Sequence, residues 1–375
     1  MMDFEEALAV TQERLRGEAD SLGALLKGLR TLIPAALIGE REWEDLLASA
    51  RELPATMAAF PFGFELPLNE RRPRADLGVS VVGGTDAASF FAQRARSENA
   101  DSSAAGIALL LSETDSEKSL LREVVGRKMM LEYDIGSAAG GSRRDPGIFL
   151  RPAERPIVGD GAAQRLRDVG VVVDTVVAAA GWTPDAAERR QVERVHLAQK
   201  ADTRIESIGV FPSRGRAIRL AVTGFRTSRA IMAFLERAGW PGRHPFVAAT
   251  VSRFEERGGF VELGLHLDVH ADGLGPTLGL SCLAKERVAK DPRHWLDRPD
   301  LWTAFIDGLR EEGLAVPEKL SALANWTTAP TTLFGRLGPF VLLRGIHHIK
   351  LVLAGDRIEQ VKGYPFMALL GTPSS

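Results

Sequence analysis

Apolar and ionisable residues alternate one for one along residues 261–270. Val261, Leu263, Leu265, Leu267 and Val269 take one set of positions, and Glu262, Gly264, His266, Asp268 and His270 take the other. This is the period of two that sends successive side chains to opposite faces of a strand. Asp272, Gly273 and Gly275 then tolerate the backbone of a tight reversal, so the chain is expected to return through residues 277–282 as the second strand of a hairpin. A face carrying His, Asp and His costs on the order of several kcal/mol to bury unpaired. It is therefore expected to border water or a ligand.

The same texture recurs along the chain. Paired strands are predicted at 62–68 and 76–82, at 128–135 and 147–151 around a glycine-rich loop at 137–145, at 205–211 and 217–223, and at 340–353 and 358–370. Helices are predicted between them. They cover 87–96 and 104–125, 164–180 and the segment opened by Pro184, 228–238 and 246–256 (whose valines also suit a strand), and 302–311 and 317–324. Leu22, Leu25, Leu26, Leu29 and Leu32 recur at spacings of three and four. With a second helix near Trp43, they make residues 1–55 an N-terminal helical segment expected to pack as an appendage on a domain spanning 56–375.

Strand, strand, helix, helix therefore repeats, and a fifth strand pair closes the chain. Two hairpins echo one another in sequence: LEYDIG with PGIFL, against LHLDVH with PTLGL, so Glu132 matches His266 and Asp134 matches Asp268. Hairpins covered by helices on their apolar face can close on themselves. The predicted fold is α+β: an antiparallel ten-stranded β-barrel of five ββαα-type repeats, with helices outside and a polar lumen.

Composition narrows the function classes. A chain of 375 residues with 45% hydrophobic and 26% charged content has a large core and is neither disordered nor fibrous. A net charge of −2 gives no footprint for nucleic acid. The acidic N-terminus and the absence of long apolar runs point away from a membrane and toward a soluble, unprocessed, cytoplasmic protein. The single cysteine, Cys282, excludes an intramolecular disulfide and a cysteine-rich metal site. No phosphate-binding loop, dinucleotide fingerprint, nucleophile elbow or DDxxD metal box is present.

With the apolar strand faces against helices, alternation assigns to the lumen Asp76, Ser80, Lys128, Glu132, Asp134, Arg219, Thr223, Glu262, His266, Asp268 and His270. From the last two strands it adds Arg344, His348, Lys350, Gln360, Lys362 and Tyr364. Any one of these, taken alone, is more often a solvated residue or half of a structural ion pair. Together, Arg219, Arg344, Lys350 and Lys362 with Tyr364 form a set that suits a diphosphate and stabilises it as a leaving group. Glu132, Asp134 and Glu65, in the first hairpin, are the candidates for taking a proton from an acceptor. A competing set is His266 and Asp268 with His347 or His348, the two-His-one-carboxylate triad of a non-haem iron oxygenase. Against it, the repeat mate of Asp268 is Asp134, where Glu132 stands in place of His266.

The order of elements and the lumen pattern over residues 60–370 resemble the ABBA-type prenyltransferases, without a diagnostic motif. The resemblance implies a transferase that moves an isoprenoid from its diphosphate to an aromatic or peptide side-chain acceptor in specialised metabolism, with ribosomal peptides among the acceptors. It implies no required cofactor, with Mg2+ as an assistant to the diphosphate. Lys362-Gly363-Tyr364 is similar to the family's Lys-x-Tyr patterns at the diphosphate. With only Tyr133 and Tyr364 in the chain, shielding of an allylic cation would fall to phenylalanines such as Phe149 and Phe366. A third class is a non-catalytic barrel that binds a peptide or lipid for another enzyme.

Overall fold

The computed structural model describes residues 4–97, 103–135, 145–151, 162–200, 202–284 and 299–371. The predicted glycine-rich loop lies outside them, apart from Asp145. Three helices come first: α1 (Phe4–Glu18), α2 (Leu22–Gly28) and α3 (Glu40–Ala50). Strands β1 (Phe62–Pro67) and β2 (Asp76–Val82) precede α4 (Asp86–Arg94), α5 (Ala104–Asp115) and α6 (Leu120–Val125). Next come β3 (Lys128–Tyr133), β4 (Gly147–Leu150), α7 (Ala162–Ala179) and α8 (Ala186–Leu197), then β5 (Arg204–Val210), β6 (Ile218–Phe225), α9 (Ser228–Ala238) and α10 (His244–Arg257). The last unit is β7 (Glu262–His270), β8 (Gly273–Leu283), α11 (Thr303–Glu311) and α12 (Pro317–Ala324). It is followed by β9 (Thr331–Gly335), β10 (Gly338–Ala354) and β11 (Arg357–Gly371).

Every strand pairing is antiparallel. Pairing runs from β1 in sequence through β8 to β10 and β11, and β11 bonds back to β1. Ten strands thus close a barrel and leave no edge within it. The eleventh strand, β9, was not expected from sequence. It pairs with the first residues of β10, whereas β8 pairs only with 349–353 of that strand.

The alternating pattern explains the wall. Leu263, Leu265, Leu267 and Val269 are at most 1% exposed, packed outward against helices, while His266, Asp268 and His270 on the other face stay partly exposed. Local signals end the helices where they must end. Thr227 accepts the Ala230 N–H to cap α9, and Gly239 closes that helix at φ 72°, a conformation that costs a glycine little. The segment 246–256, ambiguous by composition, is helical, because its buried positions Val247, Thr250, Val251 and Phe254 recur at helical spacing.

The N-terminal helices cover the closing hairpin: Thr11 Oγ1 accepts the Gly371 N–H at 3.0 Å, and Arg14 donates to the Pro339 carbonyl at 2.8 Å. Trp43 of α3 meets Phe64 of β1 edge-on at 6.3 Å. These helices contribute to the same hydrophobic core as the barrel wall. Among the described residues no helix is long and apolar enough to cross a membrane.

Candidate active site

Register decides which side chains meet inside the barrel. Glu65 stands opposite Asp76, Gly63 opposite Gly78, and Gly78 opposite Glu132, so β1, β2 and β3 turn four carboxylates inward once Asp134 is added at the end of β3. On the other side of β1, Lys350 of β10 stands directly opposite Lys362 of β11, the strand that bonds to β1. Two ammonium groups so placed repel, and Glu65 lies between them. Lys362 Nζ donates to Glu65 Oε1 at 2.6 Å, Lys350 Nζ is 3.7 Å from Oε2, and the Tyr364 hydroxyl donates to Oε2. Lys350 also sits 4.7 Å above the Tyr364 ring, and that ring stacks on His348 at 4.0 Å and 13°. His348 in turn faces His266 at 6.1 Å, and His266 Nε2 shares a 2.7 Å hydrogen bond with Ser281 Oγ.

A buried cluster of both signs drives its members apart. Burial alone would raise the Glu65 pKa, but the charges of Lys362, Lys350 and Arg214 outweigh it and hold this carboxyl well below its ordinary range. Burial and the neighbouring Glu65 charge push Glu132 up. Asp76 rises to about 7 through burial and then Glu65, against the pull of the Ile135 N–H, which it accepts at 2.8 Å. Burial brings Lys350 down to about 8 and holds the Tyr364 hydroxyl well above its usual value. One carboxylate is thus kept ionised while two nearby hold protons more readily.

Asp134 is tied differently. Arg214 grips it through Nε at 2.9 Å and through Nη2, and Ser213 Oγ donates to it at 3.1 Å. Arg214 lies 3.7 Å over the Phe211 ring, and Arg219 lies 5.2 Å from the same ring. Arg219 reaches Asp268 at 3.5 Å. The repeated aspartates of the two echoing hairpins therefore have repeated partners, an arginine each. Phe211 and Phe149 meet at 5.7 Å on the lumen wall. Two glycines make room for them: a Cβ on Gly209 would fall 2.2 Å from the Phe149 ring, and one on Gly147 would fall 2.8 Å from the Phe211 ring.

Of the residues predicted from sequence, the lumen gathers Glu65, Glu132, Asp134, Lys350, Lys362, Tyr364, Arg219, His266, Asp268 and His348. Phe149 and Phe366 join them by register, while Tyr133 faces the helices. Arg344 does not join. A bulge between Ile346 and His348 adds one residue to β10, and a slip of one exchanges the two faces of a strand. Arg344 accordingly points outward, where it donates to the Leu32 carbonyl at 3.1 Å and to Thr328 Oγ1 at 2.9 Å beside Trp326. Arg214 was missed because it lies in the β5–β6 turn, where alternation has no parity to read, and Phe211, the last residue of the predicted strand 205–211, was not singled out because a lone apolar residue on the inward face carries no chemical signal.

The iron triad is not assembled. His266 is engaged with Ser281, Asp268 with Arg219, and His347 Nδ1 with His348 Nδ1 at 2.7 Å. Among the described residues no group of three or more His, Cys, Asp or Glu is arranged to hold a metal ion. Glu65 and Asp134 are taken by Lys362 and Arg214. A surface cleft of about 770 Å³ beside Asn69 and Pro317 lies apart from this cluster. Its buried Lys319 ties down backbone there, donating to the Pro67 and Arg72 carbonyls.

No family model matches the sequence, and no curated protein matches it. The fold is similar to solved structures. One is 6-dimethylallyltryptophan synthase from Micromonospora olivasterospora in complex with DMASPP and Trp, 14% identical over 92% of this chain and 96% of that one, with a TM-score of 0.51. Another is the prenyltransferase PriB in its apo form, also 14% identical, over 95% of this chain and 94% of that one, with a TM-score of 0.51. The architecture is the closed ββαα barrel of the ABBA-type prenyltransferases.

Proposed function

We propose that the chain is a prenyltransferase-like transferase that moves an isoprenoid from its diphosphate to an aromatic or peptide side-chain acceptor. The observation that carries this reading is the cluster of Lys350, Lys362, Arg219 and Tyr364 inside the barrel rather than on its surface. In so enclosed a site, cations and hydroxyls are worth far more to a departing diphosphate than they are in water. Arg214 joins them in place of Arg344. Phe149, Phe211 and Phe366 supply faces that shield an allylic cation. Glu132 accepts no hydrogen bond from a described residue and is the carboxylate best suited to take the acceptor's proton, with Glu65 fixing the lysines and Asp134 fixing Arg214. The buried thiol of Cys282 fits a reducing, cytoplasmic setting.

The test is binding and turnover with dimethylallyl, geranyl and farnesyl diphosphates against a panel of aromatic and peptide acceptors. Replacing Lys350 and Lys362 together by Ala removes two charge-assisted contacts of about 1.5 to 3 kcal/mol each and is expected to weaken donor binding at least tenfold. No affinity for any donor, or undiminished affinity in the double variant, would leave the non-catalytic binding barrel as the better reading.

A further inference from the structure

His348 and Tyr364 lie face to face at 4.0 Å and 13°, closer than the roughly 4.5–7 Å of most aromatic pairs. Strict alternation down the β10–β11 ladder would not bring them together. Gly345 stands opposite Phe366 and Ile346 opposite Pro365, so His347 is next in line for Tyr364; the bulge passes over it, and His348 takes the place. Bulges that re-aim a side chain recur beside active sites. The imidazole is itself held. Its Nδ1 shares a 2.7 Å hydrogen bond with Nδ1 of His347, and from the β7 side the His266 ring faces it at 6.1 Å and 16°, with His266 Nε2 tied to Ser281 Oγ at 2.7 Å. What this row of rings presses on is a member of the cation cluster. The Tyr364 hydroxyl donates to Glu65, and Lys350 Nζ lies 4.7 Å over the Tyr364 ring.

We infer that His348 is a positioning residue of the donor site: by stacking on Tyr364 it holds that ring, its hydroxyl and the face that orders Lys350 where a diphosphate meets them. This rests on the transferase reading of the same site. Tyr364 is held at its tip by Glu65 and at its face by His348. The two anchors differ in what a bound donor does to them. A diphosphate competes with Glu65 for Lys350 and Lys362, the cations that Glu65 engages in this structure, so the contact at the tip is the one open to exchange. The contact at the face carries no charge for the donor to displace, and it keeps the ring in place while the tip changes partners. A hydroxyl and an ammonium already in position need no reorganisation when the leaving group develops its charge.

The chain has two tyrosines, Tyr133 and Tyr364, so ring-labelled tyrosine in a Tyr133→Phe protein leaves Tyr364 as the one labelled ring, and its NMR resonances report the stack directly. His348→Ala is expected to remove the ring-current displacement of those resonances. It is also expected to weaken calorimetric binding of a non-hydrolysable dimethylallyl thiolodiphosphate about tenfold, and His348→Phe, which restores a flat ring, to recover all but about threefold of that loss. In a Tyr364→Leu background, with no ring to place, His348→Ala is expected to change the affinity about twofold or less. Should His348→Ala lose its native circular dichroism, His348→Leu, bulky but without a flat ring, carries the same test. Tyrosine resonances left in place, an affinity unchanged although the resonances move, or an equal loss with and without Tyr364 would overturn the inference. A parent protein that shows the stack by NMR and binds no thiolodiphosphate would instead remove the transferase reading, and the donor role of His348 with it.

Discussion

Asp76 sits among like charges with a single backbone N–H as its hydrogen-bond donor, and its proton therefore reports on the whole cluster. Held in the fold, the proton leaves near pH 7, whereas an unfolded aspartate releases it near about pH 4. Between those limits the folded state binds more protons than the unfolded one, so stability falls as pH rises through the interval. Asp76→Asn, which never ionises, is expected to gain thermal stability relative to the parent between about pH 5 and about pH 8. Paired melting curves across that range check it, and a difference that stays flat with pH would mean that Asp76 titrates normally. Glu65 behaves in the opposite sense, for its partners keep it ionised and its contribution is lost only in acid. The two residues stand opposite one another on β1 and β2, and the difference arises from the lysines that β11 and β10, on the other side of β1, bring to Glu65.

At the scale of the element, the wall depends on strands that are smooth where aromatic rings lie flat. Phe149 rests over Gly209 and Phe211 over Gly147, a reciprocal fit of two neighbouring strands. A methyl on Gly209 would meet the Phe149 ring at 2.2 Å and the Ile148 carbonyl at 2.6 Å. Because a backbone atom cannot swing aside as a side chain can, Gly209→Ala is expected to cost about 1 to 3 kcal/mol, read from denaturant unfolding. An unchanged midpoint would mean that β4 and β5 separate easily. The bulge in β10 acts at the same scale. One extra residue puts His348 and Lys350 inside and Arg344 outside, although simple alternation would put all three on one face.

For the whole molecule, closure is the decisive event. The fifth hairpin follows the last helix pair, and the helices that cover it come from the other end of the chain. Trp43 is 1% exposed, lies edge-on to Phe64, and has the Arg30 guanidinium 5.5 Å away over its ring. Trp43→Ala is expected to lose about 3 to 5 kcal/mol in one cooperative transition shared by helices and barrel. Near- and far-ultraviolet circular dichroism followed together would test this. An early melting step confined to the N-terminal helices, with the barrel transition unmoved, would instead make residues 1–55 an independent appendage.

By itself the sequence determined the strands, their inward and outward faces, the order in which hairpins and helices recur, and hence a closed barrel with a charged lumen. Those features depend on periodicity and on local turn chemistry, which are written in neighbouring residues. Lys350, Lys362 and Tyr364 were legible for that reason, and Glu65 was a candidate from its place in the first hairpin, not from its strand parity. Only the tertiary structure decided that the four form one hydrogen-bonded group, since their meeting depends on β11 closing against β1, some 300 residues apart in sequence. It also decided that Arg344 faces out, because a bulge resets parity without changing the apolar pattern on either side. Arg214 enters from a turn, where no period exists to predict a direction.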